Sequence, residues 1–181
     1  MNSNWNIDPS WTLFLDRDGV INQRNFNGYI THPNEFVFLN GSLEALNTFS
    51  KLFDLIFIVT NQQCVGKGII STKELESIHS YMLSEINRNN GFITDIYFAP
   101  ELKTNHMQMR KPLPKMAELA KQKHSSIDFK KSIMIGDTDS DIEFGKNLGM
   151  KTVCIRSKEV INSKPDVYCE SLFEFSKLIN E

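Results

Sequence analysis

Cysteine is scarce in this sequence, and the few cysteines form no recognisable motif. Cys64, Cys154 and Cys169 are the only three in 181 residues, and no two of them are spaced as a Cys-x-x-Cys pair. An odd number of widely separated thiols does not indicate a disulfide framework, so we expect a reduced protein. Glycine and proline are also few, at nine and six residues, which excludes collagen-like and linker-like chains.

Long apolar runs and a large charge of either sign are absent as well. The apolar run LIFIV at 55–59 is far shorter than the roughly 20 residues that a membrane-spanning helix needs. The opening MNSNWNIDPSW lacks the basic and apolar regions of a secretory signal. We therefore expect a cytoplasmic protein without a membrane partner. The formal net charge of −2 gives no sign of nucleic-acid binding, which generally requires a basic face.

Short apolar segments and helical patterns alternate along the chain. Hydrophobic residues make up 40% and charged residues 23%, a balance typical of globular domains. Predicted strands cover 11–16, 52–60, 93–100, 131–137, 150–156 and 165–169, and predicted helices cover 42–53, 71–89, 113–124, 141–149 and 172–181. Uninterrupted apolar strands between helices indicate an α/β fold with a central, mostly parallel sheet. We predict one doubly wound, Rossmann-like domain over 11–181, preceded by a polar segment at 1–10.

Polar residues follow four of the predicted strands, either directly or on the next loop. In chain order they are Asp16 and Asp18, Thr60 and Asn61, Arg110 and Lys111, and Asp137 and Asp141. Because ligands of open α/β sheets bind at the carboxyl ends of the strands, we expect these side chains to converge at one edge. That edge would combine carboxylates, a hydroxyl group and fixed positive charge.

This combination is suited to the transfer of a phosphoryl group. Clustered carboxylates repel one another unless a cation neutralises them, and oxygen-only ligands indicate Mg²⁺. Lys111 and Arg110 would add positive charge for the phosphoryl oxygens, and Thr60 would add a hydrogen bond. A carboxylate in line with phosphorus can attack it, and a second carboxyl group can protonate the leaving alcohol.

Four motifs in a fixed order strengthen this interpretation. DRDGV, VTNQ, RKP and GDTDSD, within about residues 11 to 156, resemble the motifs of the haloacid dehalogenase-like (HAD) phosphatase superfamily. The resemblance implies that Asp16 is the nucleophile and that Asp18 is the general acid and base. It also implies that Thr60 and Asn61 hold the transferring phosphate and that Lys111 stabilises its charge.

The same resemblance implies a magnesium site. Asp16 and Asp137 would bind Mg²⁺ through their carboxylates, and Asp18 would bind it through its backbone carbonyl. Asp141 would orient Lys111 or a metal-bound water without binding the metal itself.

Longer stretches resemble one branch of the superfamily. FLDRDGVIN, YITHPNEFVFLNGSLEAL, VTNQQCVGKG, RKPLPKM and IGDTDSDI are similar to the histidinol-phosphate and D,D-heptose bisphosphate phosphatases. This resemblance implies a small phosphorylated metabolite as substrate, with D-glycero-D-manno-heptose 1,7-bisphosphate favoured. It implies a domain without a large cap, and it implies that Arg110 contacts the substrate.

One feature of that branch is missing. A zinc-binding loop of cysteine and histidine usually precedes the lysine motif, whereas the corresponding positions here are Ala99, Glu101, Met107 and Met109. His106 alone cannot form a tetrahedral site, so we expect no zinc.

Three alternatives to the heptose substrate remain open. They are histidinol-phosphate phosphatase activity, polynucleotide 3′-phosphatase activity, and a module that is phosphorylated on aspartate without turnover. The acidic balance of charge disfavours the second, and Asp18 disfavours the third, since a proton shuttle serves turnover. The sequence leaves open the oligomeric state and whether the loop at 22–41 closes over the ligand.

Overall fold

The computed structural model describes residues 5–104 and 108–180, and a parallel β-sheet forms its centre. Within those residues the six strands are β1 (Thr12–Leu15), β2 (Leu55–Asn61), β3 (Asp95–Ala99), β4 (Ser132–Gly136), β5 (Lys151–Ile155) and β6 (Val167–Cys169). Their order is β3-β2-β1-β4-β5-β6, and every neighbouring pair is parallel. The predicted α/β class is confirmed.

Helices lie between these strands, and one more follows the last strand. They are α1 (Ser42–Leu52), α2 (Gln63–Gly66), α3 (Thr72–Arg88), α4 (Lys115–Lys123), α5 (Asp139–Asn147) and α6 (Leu172–Leu178), with 3₁₀ turns at Pro33–Glu35 and Phe129–Lys131. The sequence predicted neither α2 nor the two turns, which are too short to show a periodic pattern. Helix α5 begins two residues earlier than predicted, because Thr138 is its N-cap and forms a capping box with Asp141.

Two hydrophobic cores cover the two faces of the sheet. Leu13 and Leu15 of β1 belong to the core that α1, α3 and α6 cover, whereas Phe14 points into the core under α4 and α5. Alternate residues of a strand face opposite sides, and both sides are buried here, so β1 is apolar without interruption. The result is a three-layer α/β/α arrangement.

The centre of the sheet is also where the chain reverses its direction of winding. From β1 the chain builds outward through β2 and β3 on one side and then through β4, β5 and β6 on the other. In such folds the crevice at the reversal point binds the ligand, because the loops leaving neighbouring strands diverge there. The carboxyl end of β1, where Asp16 lies, is at this point.

The segment after β1 folds back beside the site. Backbone hydrogen bonds join Gln23 N to Val37 O at 2.8 Å and Leu39 N to Ile21 O at 2.9 Å. Residues 22–38 therefore form a flap with a fixed base, and its residues 24–30 line the cavity at the strand ends.

The polar segment predicted at 1–10 is described from residue 5 onward. The Trp5 ring lies 6.3 Å from that of Phe175, and Ile7 also packs against the core. Across the described residues, every helix is too short or too polar to span a lipid bilayer.

Candidate active site

The turn after β1 places two carboxylates at the edge of the sheet. Asp16 is 8% exposed, and its backbone N–H donates to Ile135 O at 2.9 Å, which ties the strand end to β4. Gly19 has a φ of 89°, and a Cβ there would collide with the Asp137 carboxylate. Only glycine permits this left-handed turn to lie so close to a second acid.

Lys111 lies at the centre of the site and is almost fully buried. Its ammonium group contacts Asp16 Oδ1 at 2.9 Å and Asp141 Oδ1 at 2.6 Å, and it donates to Val59 O at 2.6 Å. Burial alone would lower the pKa of Lys111, but Asp141 and Asp16 outweigh it and raise the pKa. The lysine therefore stays charged, with two carboxylate oxygens and one carbonyl oxygen around its ammonium group.

The backbone of Lys111 is held separately, by Asn61 at the end of β2. Lys111 N donates to Asn61 Oδ1 at 2.9 Å, and Asn61 Nδ2 donates to Lys111 O at 3.3 Å. Asn61 was predicted to hold phosphate, and that role stays a prediction; in the structure its carboxamide binds the backbone of Lys111. The neighbouring Thr60 hydroxyl accepts a hydrogen bond from Gln62 Nε2 at 2.9 Å.

The start of α5 contributes the third and fourth acids. Asp137 is fully buried and directly follows β4, and Asp141 lies in the first turn of α5. Asp141 Oδ2 accepts from Thr138 N at 3.0 Å and Thr138 Oγ1 at 2.6 Å, while its other oxygen contacts Lys111. A Cβ at position 136 would collide with the Asp141 side chain, so only glycine fits there.

Three of these carboxylates form a cluster that is suited to a cation. Asp16, Asp137 and Asp141 each offer an oxygen within 4.8 Å of the others. Burial raises the pKa of Asp16 to about 6, with Lys111 opposing the rise. Burial, together with Asp16 and Asp141, raises the pKa of Asp137 to about 8. The mutual repulsion of these carboxylates opposes their simultaneous ionisation, and a divalent metal ion would remove that repulsion. Carboxylate oxygens are hard donors, which such an ion prefers.

Asp18 has surroundings that differ from those of the other acids. Its carboxylate accepts from Arg17 Nη2 at 2.9 Å, Gln62 Nε2 at 2.8 Å and Asn22 Nδ2 at 3.0 Å. Burial raises the pKa of Asp18, but Arg17 and these hydrogen bonds outweigh it and hold the pKa below its usual value. Asp18 is therefore ionised at rest.

Arg17, between the two acids of the first motif, is itself buried. Its Nη1 lies 3.1 Å from His79 Nε2 on α3. Burial and then Arg17 lower the pKa of His79 to about 3, so the imidazole is neutral and can accept from the guanidinium. The sequence identified neither residue as part of the site, because 62 positions separate them along the chain.

A residue of the flap, Arg24, also reaches the acids. Its guanidinium lies 3.2 Å from Asp137 and 3.5 Å from Glu159, and it lies over the Phe26 ring. No local pattern in the sequence indicates a role for Arg24, because such patterns do not show where a flap folds back.

A cavity of about 710 Å³ opens above the acids. Its floor contains Asp16 and Lys111, and its mouth carries Arg24, Lys67 and Arg110 together with Tyr29 and Lys103. Tyr29 Oη is a hydrogen-bond partner of Lys67 Nζ at 2.8 Å and of Gln63 Nε2 at 3.0 Å. A cavity of this size accommodates a small metabolite, and its positive mouth favours an anionic one.

The loop that resembles a shortened zinc loop contains a different organising contact. Glu101 Oε2 accepts backbone hydrogen bonds from Gln108, Met109 and Arg110 at 2.9, 2.9 and 3.2 Å. Two of the residues considered for zinc, His106 and Met107, lie outside the described residues. In the rest of the chain, the single cluster of three potential ligands is that of the active-site acids, and the absence of zinc stays a prediction.

Comparisons with known proteins agree with this geometry. The HAD-hydrolase-like family matches residues 108–174. A D-glycero-beta-D-manno-heptose-1,7-bisphosphate 7-phosphatase of Helicobacter pylori is 34% identical over 146 residues, covering 80% of this chain and 83% of that protein. A D-glycero-alpha-D-manno-heptose-1,7-bisphosphate 7-phosphatase of Mycobacterium bovis is 29% identical over 170 residues, covering 92% of this chain and 90% of that protein.

A solved structure shares the fold. It is the D,D-heptose 1,7-bisphosphate phosphatase from B. bronchiseptica in complex with magnesium and phosphate, with a TM-score of 0.83 at 23% identity. The match covers 93% of this chain and 98% of that one. The predicted phosphatase family and fold are both confirmed, and the chain belongs to the D,D-heptose 1,7-bisphosphate phosphatase branch of the HAD-like phosphatases.

Proposed function

We propose that this phosphatase removes the 7-phosphate of D-glycero-D-manno-heptose 1,7-bisphosphate through an aspartyl-phosphate on Asp16, with Mg²⁺ as cofactor. The observation that carries the proposal is the pairing of Asp16 with the buried Lys111 at 2.9 Å, beside Asp137. This arrangement leaves one nucleophilic carboxylate between a fixed cation and a metal-binding acid. The names of the relatives favour the heptose substrate.

Asp16 and Asp137 are the carboxylates proposed to hold the metal, together with the Asp18 carbonyl. Asp141 has both oxygens engaged, one by Thr138 and one by Lys111, so it serves the lysine instead. When bound, Mg²⁺ supplies positive charge that screens the phosphate from the surrounding acids.

In the first half of the reaction, an Asp16 oxygen attacks phosphorus and the bond from phosphorus to the sugar oxygen breaks. Lys111 stabilises charge on the phosphoryl oxygens, and the Thr60 hydroxyl donates to one of them. Asp18, ionised in the free protein, takes up one proton from solvent as the substrate binds and gives it to the departing sugar oxygen. Arg17, Gln62 and Asn22 stabilise the carboxylate that results, which favours this transfer.

In the second half, water attacks the phosphorus of the aspartyl-phosphate. The Asp18 carboxylate accepts the proton of that water, and the bond between phosphorus and the Asp16 oxygen breaks. Asp16 is restored as a carboxylate, inorganic phosphate leaves, and Asp18 releases its proton to solvent, which returns it to its ionised resting state.

The mouth of the cavity is proposed to bind the other end of the bisphosphate. Arg110 and Lys67 line it on two sides, and a guanidinium can bind a phosphate through two parallel hydrogen bonds. A substrate with phosphate at both ends would thus meet positive charge at the floor and at the mouth.

Phosphate release from a panel of substrates tests the proposal. The panel contains both anomers of the heptose bisphosphate, histidinol phosphate and a 3′-phosphorylated oligonucleotide, each with Mg²⁺ and after treatment with EDTA. We expect the heptose bisphosphate to be preferred by at least about 100-fold in kcat/KM, equivalent to about 2.7 kcal/mol. Phosphorus NMR should show heptose 1-phosphate as the product. Preference for histidinol phosphate, or full activity in EDTA, would contradict the proposal.

A further inference from the structure

The loop between β3 and Lys111 is closed at its base by one side chain. Glu101 lies two residues beyond the end of β3, and its Oε2 accepts from the backbone amides of Gln108, Met109 and Arg110 at 2.9, 2.9 and 3.2 Å. Three consecutive amides thus converge on one carboxylate oxygen. Such a charged acceptor holds backbone donors more firmly than a neutral one does.

Glu101 also contacts the side chain of Arg110. Arg110 Nη1 donates to the backbone carbonyl of Glu101 at 3.4 Å. The carboxylate fixes the main chain on which Arg110 is mounted, and the carbonyl limits where the guanidinium can point. Arg110 is half-buried at the cavity mouth, so its direction determines which part of a ligand it can reach.

The next residue, Lys111, does not depend on these contacts. Its backbone is held by Asn61, and its ammonium group by Asp16, Asp141 and Val59. Loss of the Glu101 carboxylate would therefore disturb Arg110 at the mouth and leave the reacting groups at the floor in place.

We propose that Glu101 is a positioning residue that directs Arg110 toward the second phosphate of a bisphosphate substrate. The inference rests on the proposed function, which gives Arg110 that ligand. Arg110 is the residue that contacts substrate, and Glu101 acts through it.

Steady-state kinetics with two substrates test this role. We expect Glu101→Ala to raise KM for the heptose bisphosphate about tenfold, the size of one charge-assisted hydrogen bond. The value of kcat should stay within about twofold of the wild-type value. For p-nitrophenyl phosphate, which has a single phosphate, neither KM nor kcat should change. Glu101→Gln keeps an acceptor of the same length and should raise KM less. Glu118→Ala on α4 is the matched control, because Glu118 is exposed and, among the residues that the structure describes, forms an ion pair with Lys115 alone, at 4.0 Å.

A double variant shows whether Glu101 acts through Arg110. The combination of Glu101→Ala with Arg110→Ala should have the same KM as Arg110→Ala alone. Multiplicative effects of the two changes, or a loss in kcat that equals the loss in kcat/KM, would overturn the inference.

Amide hydrogen exchange gives a readout that needs no substrate. Exchange at residues 108–110 should quicken at least about tenfold in Glu101→Ala, because each amide loses its acceptor. Unchanged exchange there overturns the inference whatever the substrate is. Failure of the wild-type protein to hydrolyse the bisphosphate contradicts the proposed function instead, and the exchange result still shows whether Glu101 holds the loop.

Discussion

The floor and the mouth of the cavity are built in different ways. At the floor, Asp16 and Lys111 follow strands or are held by them, and both are at least nine-tenths buried. At the mouth, Arg24, Lys67 and Arg110 lie on connecting segments and reach solvent. Phosphoryl transfer needs the fixed geometry of the floor with any substrate. The side chains at the mouth do not take part in the transfer, so they can be suited to one substrate. Changes at the floor should therefore affect kcat for all substrates, and changes at the mouth should affect KM for one.

The largest effect is expected at Asp16. Replacing it in Asp16→Asn removes the nucleophile while keeping the shape, so kcat should fall by at least about 10⁴-fold for every substrate. Initial rates with the heptose bisphosphate and p-nitrophenyl phosphate measure this loss. Asp54→Asn is the control, because Asp54 is exposed. Retention of more than about one per cent of the activity would contradict a nucleophilic Asp16.

Lys111→Met should lower both activity and stability. Without the ammonium group, Asp16 and Asp141 face each other in a buried site, and breaking a buried pair costs about 3–5 kcal/mol. Urea denaturation of the metal-free protein measures the free energy of unfolding, and kcat should also drop by about 10²-fold or more. The exposed Lys115→Met on α4 serves as control. Full stability in Lys111→Met would show that the acids do not need this cation.

Metal stabilisation should depend on pH with a definite sign. Folding raises the pKa of Asp16 to about 6 and that of Asp137 to about 8, from 3.8. The metal-free folded protein thus binds these protons more tightly than the unfolded chain, and it loses stability as pH rises from about 4 to 8. Mg²⁺ competes with the same protons, so its stabilising effect grows over that range.

Thermal denaturation with and without Mg²⁺ measures this dependence. The increase in Tm should be at least about 3 °C larger at pH 8.5 than at pH 6, roughly 1 kcal/mol for a chain of this size. In the Asp137→Asn variant, the increase in Tm that Mg²⁺ causes should be nearly the same at both pH values. An equal increase at both pH values would indicate that Mg²⁺ does not bind at these acids.

The smallest effect is expected at the mouth. Lys67→Met removes an exposed charge, whose interactions are typically worth less than 1 kcal/mol, so KM for the bisphosphate should rise about threefold. The kcat should not change, nor should either constant for p-nitrophenyl phosphate. Lys73→Met, on an exposed position of α3, is the control. A fall in kcat would show that Lys67 also affects the floor and that the two regions are not separate.

The sequence predicted the floor better than the mouth for a physical reason. Asp16, Thr60 and Asp137 follow apolar strands, and parallel strands place their carboxyl ends together whatever connects them. Arg24 and Lys67 reach the site only because their segments fold back, and no local pattern encodes that fold. The pairing of Arg17 with His79 was equally hidden, since it depends on how α3 packs beside β1.

The structure adds contacts within the predicted site that the sequence did not indicate. Asn61 is predicted to hold phosphate, and its carboxamide also binds the backbone of Lys111, 50 positions away. Asp141 was expected near the lysine and does contact it, but it also caps α5, which moves the helix start to Asp139. Residue type and spacing indicate which groups meet, whereas the division of their hydrogen bonds depends on the three-dimensional path of the chain.

The double engagement of Asp141 links secondary structure to the alignment of the reacting groups. A single carboxylate closes the first turn of α5 with one oxygen and steadies the Lys111 ammonium with the other. Fraying of that turn would remove one of the three oxygen partners of the ammonium group at the same moment. The complete set of contacts around Lys111 consequently depends on one helical turn, which can open locally before the domain as a whole unfolds.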